Sequence, residues 1–378
     1  MQQAEHVETV IVGGGQAGLA VGYFLQKKRR RFTILEANQS VGDSWRMRWP
    51  SLRLYTPARM DGLPGLEFPA PKNSFPTAAE MADYLQAYAE RHELDVRTGV
   101  AVDGLERNGD SYLVNAGGRR FHADNVVVAT GVIQHERPVV PDFAAEIDPA
   151  ITQLHSADYR GPEQLSDGPV LVVGASHSGG DIAYEVALAG HPTILSGRDT
   201  GQVPFDIEGL TARLLFPLLR FLATRVLTVS TPLGRKMRPE LRSHGAPLLR
   251  VMRADLAGVG VERVLERTTA VVDGRPALAD GRVLDVANVI WCTGFRNEWS
   301  WIRAPLPVGE DGFPEQSRGV VSSLPGLYFV GMLFLDSFAS MLVLGAGRDG
   351  KRVAEHIERR MSRPRDEAAV EPETVHAA

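Results

Sequence analysis

The chain has 378 residues, 44% of them hydrophobic, with a formal net charge of −5 and a charged fraction of 23%. That is enough apolar material for more than one core, and it lacks the basic excess of a nucleic-acid binder. Its one cysteine, Cys292, excludes a structural disulfide, a CxxC redox pair and a thiolate metal cluster within the chain.

In chain order, "VETVIV" (7–12) is a continuous apolar run suited to a buried parallel strand, and no basic-then-apolar leader precedes it. "GGGQAG" (13–18), the helical "LAVGYFLQKKR" and the strand "RFTILE" follow. "SFPTAAEMADYLQAYAERHEL" (74–94) reads as an amphipathic helix, and residues 95–131 as a small antiparallel meander feeding a last buried strand. Residues 168–198 then repeat the opening plan: "GPVLVV", "GASHSG", "GDIAYEVALAG", "HPTILSGR". Aligning Gly13 with Gly174 also aligns Gly18 with Gly179. The expected fold is therefore α/β: two nested Rossmann-type dinucleotide-binding domains with parallel central sheets and a small antiparallel meander.

The expected boundaries are 1–150 for the first part of domain one and 151–284 for domain two, with a helical insertion at 205–250. Residues 285–362 would return to domain one, and 363–378 would form a disordered tail. Within the insertion, "LLFPLLRFLATRVL" (214–227) is too short to span a bilayer and reads as a buried or interfacial helix. No transmembrane segment is expected, and the cytoplasm is the natural compartment for a chain with one cysteine.

The two glycine-rich turns end differently. In such units glycines admit the pyrophosphate to a helix amino terminus, and the acid ending the second strand holds the adenosine ribose. Glu36 stands 18 residues beyond Gly18, so a nucleotide with a free ribose, FAD or NAD, suits the first unit through Gly13, Gly15, Gln16, Ala17, Gly18 and Glu36. In the second unit Ser196 takes the place of the acid and Arg198 follows. A carboxylate would repel a 2′-phosphate, whereas a hydroxyl and a guanidinium would hold one. NADPH is thus expected on Gly174, Ser176, His177, Ser178, Gly179, Ser196 and Arg198, with Ser176 in place of the middle glycine of the fingerprint.

The motifs "GGGQAG", "VGDSW", "SLRLYTP", "VVATG", "HSADYR", "VLVVGASHSGGDIA", "VIWCTGF" and "GLYFVGMLFLDSFASMLVLGAGRDG" run through nearly the whole chain. In this order they resemble the flavin-containing monooxygenase superfamily, class B, on the side of YUCCA-type and bacterial CzcO-like enzymes. The resemblance implies FAD in the first unit and NADPH in the second. It also implies flavin contacts at Trp45 and Arg46, at Gly131 of the first crossover turn, and at Gly331 before the last helix, with Tyr55 or Thr56 facing the ring. The implied cycle is hydride transfer from NADPH to the flavin, addition of O2 at C4a and passage of one oxygen atom to a small organic substrate.

"HSADYR" keeps the HxxxY end of the family's identifying motif, but Pro149 and Ile151 stand where Phe-x-Gly would precede it. Tyr159 and Arg160 replace the Trp-Pro or Trp-Asp of Baeyer–Villiger enzymes. The alternatives are a flavin reductase or oxidase passing electrons elsewhere, and a non-catalytic FAD-binding module. No metal site or Ser-His-Asp set is expected, no catalytic side chain is assigned, and His135, His177 and His244 read as structural or, for His177, as lying close to the pyrophosphate. Partners would be the small-molecule substrate and O2, without nucleic acid; a homodimer is compatible with the sequence but not specified by it.

Overall fold

The computed structural model describes residues 4–131, 136–243 and 245–362. His135, His244 and residues 363–378 lie outside them.

The first unit opens with β1 (Glu5–Val12), α1 (Gln16–Lys27) and β2 (Phe32–Leu35). A single-turn helix, α2 (Asp43–Arg46), follows, then α3 (Ala78–Arg91). α3 starts where the pattern predicts, because Thr77 and Glu80 form a reciprocal capping box. Its buried residues Met81, Ala82, Leu85, Tyr88 and Ala89 repeat at helical spacing and lie inward.

After β3 (Val96–Arg97) come β4 (Val102–Asn108), β5 (Ser111–Ala116) and β6 (Arg119–Val128). The sheet runs β3-β2-β1-β6-β5-β4. β6 is parallel to β1 along one edge, while its other edge is shared. Its first half pairs antiparallel with β5, and its last three residues pair parallel with β16 (Leu327–Phe329). The meander is thus an extension of the dinucleotide sheet.

The chain leaves through β7 (Glu136–Pro138) and enters the second unit at β8 (Thr152–His155). β9 (Val170–Val173), α4 (His177–Leu188) and β10 (Thr193–Ser196) repeat the opening plan. The insertion carries α5 (Leu210–Phe221) and α6 (Pro232–Ser243), and α7 (Arg253–Gly258) follows. α5 is a surface helix that buries Ala212 and Phe216 and leaves Leu214, Leu218 and Phe221 exposed. Among the described residues no helix is long and apolar enough to cross a membrane.

β11 (Glu262–Val264), the hairpin β12 (Thr268–Val272) and β13 (Arg275–Leu278), and β14 (Asn288–Trp291) complete the second unit. Its sheet is parallel throughout, in the order β11-β10-β9-β14-β8. This corrects the expected return to the first domain at residue 285. β14 is fully buried, Asn288 included, because it lies between β9 and β8. The crossing back follows it, where β15 (Phe295–Asn297) pairs antiparallel with β7 to make a two-stranded bridge between the units. The last helix, α8 (Val343–Ser362), packs on α1, and Gly350 brings the two backbones together: a Cβ there would stand 3.0 Å from the Ala20 carbonyl carbon.

Candidate functional site

The first glycine turn is shaped by its own backbone. Gly13 has φ +107°, and a Cβ on it would lie 2.5 Å from the Ala129 carbonyl oxygen. A Cβ on Gly18 would lie 2.0 Å from the Gly13 oxygen, so the helix can start this close to the strand only with glycine there. Gly15 is different. It occupies the N-cap in an extended conformation, with nothing within 4 Å of a Cβ built on it. α1 has no side-chain cap and no acid in its first turn, so its leading amides face open space. That is the donor set a pyrophosphate requires, and the first turn fits a dinucleotide.

Around this turn the fold gathers most of the expected residues. Glu36 is buried, and its carboxylate accepts from the Gly14 amide at 2.7 Å and from the Asn38 amide and Nδ2 at 2.9 and 2.8 Å. Trp45 Nε1 donates to Gln16 Oε1 at 3.4 Å, which brings α2 to the turn. A Cβ on Gly331 would stand 2.9 Å from that of Ala17, so the end of β16 closes the other side. Gly131, at φ +66°, has open space around it. Together with Thr130, Gly331, Met332, Phe295 and Arg242 it lines a cleft of about 390 Å³ at the crossing between the units.

Arg46 is not brought to the turn. Its guanidinium donates to Asp43 at 3.0 Å, to the Val41 carbonyl at 2.9 Å, and to Asp83 and Gln86 at 2.8 and 3.1 Å. It fastens α2 to α3.

The second turn repeats the first. Gly174 has φ +113°, with a prospective Cβ 2.3 Å from the Cys292 oxygen, and a Cβ on Gly179 would lie 1.8 Å from the Gly174 oxygen. Ser176, at the N-cap, could cap α4, but its hydroxyl donates to the Ala246 carbonyl at 2.7 Å. α4 therefore also begins without a side-chain cap or an acid in its first turn, with His177 and Ser178 as its first residues. In lacking a side-chain cap and a first-turn acid, the second turn matches the first.

The end of β10 departs from expectation. Ser196 is fully buried, and its hydroxyl donates to the Glu266 carbonyl at 2.9 Å and meets Thr268 Oγ1 at 3.0 Å. It is committed to the domain interior and presents nothing to a ligand. Gly197 lies against the second turn, with a prospective Cβ 3.0 Å from the Ala175 nitrogen, and so delivers Arg198 to the surface beside that turn. Arg198 is exposed.

Between the units lies a contact that the sequence did not indicate. Tyr55 Oη donates to Asp181 Oδ2 at 2.7 Å, and its ring meets His177 edge-on at 5.2 Å. Burial beside the Asp181 carboxyl holds the Tyr55 phenol protonated, well above its usual range. Arg250 seals the junction by donating to the Arg53 and Leu54 carbonyls at 3.2 and 2.7 Å. Tyr55 is thus turned toward the second unit, while Thr56 donates to Asp61 at 2.5 Å. Burial, with the Arg48 charge adding to it, pushes the His177 imidazole down to about 4, so it is neutral at ordinary pH.

In "HSADYR", His155 Nδ1 accepts from the Ala157 amide at 3.1 Å, and Tyr159 donates to Glu185 of α4 at 2.9 Å. Both are internal braces. Among the described residues no cluster of three His, Cys, Asp or Glu side chains could hold a metal.

The family model described as pyridine nucleotide-disulphide oxidoreductase matches residues 10–208, more than half of the chain. An uncharacterised CzcO-like oxidoreductase of Geobacillus kaustophilus is 33% identical over 351 residues, covering 93% of this chain and 98% of that one. The chain therefore belongs to this family, in its flavin monooxygenase branch, and is an oxidoreductase. The probable indole-3-pyruvate monooxygenase YUCCA7 of Arabidopsis thaliana is 27% identical, covering 92% of this chain and 86% of that protein. The structure of a flavin-containing monooxygenase from Stenotrophomonas maltophilia superposes with a TM-score of 0.72 at 26% identity, over 95% of this chain and all of that one. Cys292 is the one cysteine of the sequence, so the chain cannot form an internal redox disulphide.

Proposed function

We propose that the protein is an NADPH-dependent flavoprotein monooxygenase that carries FAD on its first unit and NADPH on its second. A small organic substrate, O2, NADPH and a proton would give the oxygenated product, NADP⁺ and water. The observation that carries this reading is the pair of uncapped turns, one followed by the buried carboxylate of Glu36 and the other by the exposed guanidinium of Arg198. The monooxygenase relatives support it.

FAD, when bound, supplies the redox and oxygen chemistry. The chain's own residues bind and orient. Glu36 accepts from ribose hydroxyls, and the first amides of α1 take the pyrophosphate. Trp45, held by Gln16 and by the Arg46 brace beneath it, forms a wall of the flavin site. Arg198 takes the 2′-phosphate. The Tyr55–Asp181 and Arg250 contacts fix one unit against the other, so that nicotinamide and flavin meet in a site kept from water.

The test is stoichiometric. Purified FAD-loaded protein is given NADPH, ¹⁸O2 and a panel of amines, sulfides and 2-oxo acids. One ¹⁸O atom in a product per NADPH consumed is expected. Quantitative H2O2 with no labelled product across the panel would overturn the monooxygenase in favour of a reductase or oxidase.

A further inference from the structure

We propose that helix α5, with the cations beside it, docks the protein onto the surface of an anionic phospholipid bilayer. The inference rests on the insertion alone and is independent of which coenzymes the two units carry.

α5 is apolar on two sides. Ala212 and Phe216 are buried with Met60, Phe75 and Ile207 and attach the helix to the body of the protein. Leu210, Leu214, Leu218 and Phe221, spaced four, four and three apart, fall together on a different face, and all four are exposed. Leu214 at 82% and Leu210 at 75% are the two most exposed large hydrophobic side chains of the described residues. Leucines exposed singly are ordinary on a protein surface. Four apolar side chains in register make a continuous stripe, and such a stripe marks an interaction site.

The charges beside the stripe identify what covers it. Residues 209–243 contain seven arginines and lysines and one acid, Glu240, although the whole chain has a net charge of −5. Arg213 and Arg220 lie seven residues apart along one margin of the stripe, and both are exposed. Arg225, also exposed, follows just beyond the helix. There Arg348 donates to the Thr224 carbonyl, which joins the insertion to a cleft of about 450 Å³ lined by Arg318, Lys351 and Arg359.

A two-fold contact between copies would set this positive surface against its own image, and like charges so placed repel. Spanning a bilayer is closed to α5, because its 12 residues are too few. A short helix with an apolar stripe edged by arginines suits the headgroup plane instead. Its leucines and Phe221 would enter the acyl boundary, and the long arginine side chains would reach the lipid phosphates.

The test is co-sedimentation of the purified protein with vesicles of phosphatidylcholine, alone or mixed with phosphatidylglycerol. Binding to the mixed vesicles is expected, about tenfold or more weaker on phosphatidylcholine alone and falling as salt is raised. Leu214→Gln with Leu218→Gln should lose about tenfold or more in affinity, as two leucines no longer leave water. Its unfolding temperature should match wild type, because both positions are exposed. Arg213→Gln with Arg220→Gln should weaken binding to the mixed vesicles and flatten the salt dependence.

No sedimentation with either vesicle, or wild-type binding by both double variants, would overturn the proposal. Equal binding to neutral and anionic vesicles, insensitive to salt, would overturn the role given to the arginines. A protein that is dimeric without lipid, and monomeric once Leu214 and Leu218 are replaced, would overturn it in favour of a second copy covering the stripe.

Discussion

The Glu36 carboxylate and the Gly14 amide are joined by a 2.7 Å hydrogen bond that ties the end of β2 to the turn before α1. In the second unit the equivalent tie is absent, because Ser196 faces inward to Glu266 and Thr268. The acid therefore holds its own turn, and on the proposed reading it would also face the ribose. Glu36→Ala should raise the Kd for FAD at least tenfold, since bonds to a charged acceptor contribute about 1.5–3 kcal/mol each. It should also lower the unfolding temperature of the FAD-free protein, because the Gly14 amide loses its acceptor. Fluorescence titration with FAD and a thermal melt measure the two effects; FAD affinity equal to wild type would remove Glu36 from the site.

Gly15 and Gly18 separate fold from function within one turn. Gly18→Ala places a methyl group 2.0 Å from a backbone oxygen, and no rotamer relieves that. It should yield little folded protein. Gly15→Ala meets nothing within 4 Å and keeps an allowed φ of −77°, so folding should be preserved. Its methyl would instead occupy the space a phosphate enters. Gly15→Ala should therefore melt like wild type and be purified with little FAD. Full flavin occupancy in that variant would show that nothing binds over the helix end.

The two glycine turns, the acid, the buried strands and α3 were legible because each is written in a local pattern: strand, glycine spacing, helix and capping box lie within about 30 residues. The roles of Arg46 and Tyr55 were not. The partners of Arg46 lie about 40 residues away on α3, and Tyr55 meets Asp181 across 126 residues. Only the docking of the units decides such contacts. β14 misled for another reason. Its continuous apolar run suits the centre of either parallel sheet, and position along the chain favoured the wrong one. Ser196 was correctly placed at the end of β10, but the direction of its hydroxyl depends on Thr268 in a later hairpin.

On the proposed reading Arg198 would set the coenzyme preference. It is exposed and stands at the end of β10, where the first unit has its acid. Arg198→Ala should raise KM for NADPH about tenfold or more, with NADH almost unchanged, as for loss of one charge-assisted bond. Equal losses for both coenzymes in steady-state oxidation would remove the assignment.

Cys292 follows β14, and burial pushes its thiol up to about 12, so it carries almost no thiolate at neutral pH. The folded protein should resist alkylation by iodoacetamide at pH 8. Cys292→Ala should retain NADPH oxidation, with at most a small drop in unfolding temperature from the lost sulfur. Abolished turnover in well-folded Cys292→Ala would restore thiol chemistry to the mechanism.

Asp61 gives the fold a titration of unusual sign. It is fully buried, with Oδ1 bonded to Thr56 and Oδ2 without a hydrogen-bond partner, and burial raises its carboxyl from 3.8 to about 7. The folded state thus binds the proton more tightly than the unfolded chain. Between pH 4 and 7 ionisation favours unfolding, so stability from this group falls as pH rises and levels off above 7. The full effect is on the order of 4 kcal/mol, at about 1.36 kcal/mol per pKa unit. Asp61→Asn keeps the shape and cannot ionise. Urea unfolding should therefore show the variant more stable than wild type at pH 8, by an amount that shrinks or reverses at pH 5. A difference independent of pH would mean that the Asp61 carboxyl finds a counter-charge in the folded protein and titrates in the ordinary carboxylate range.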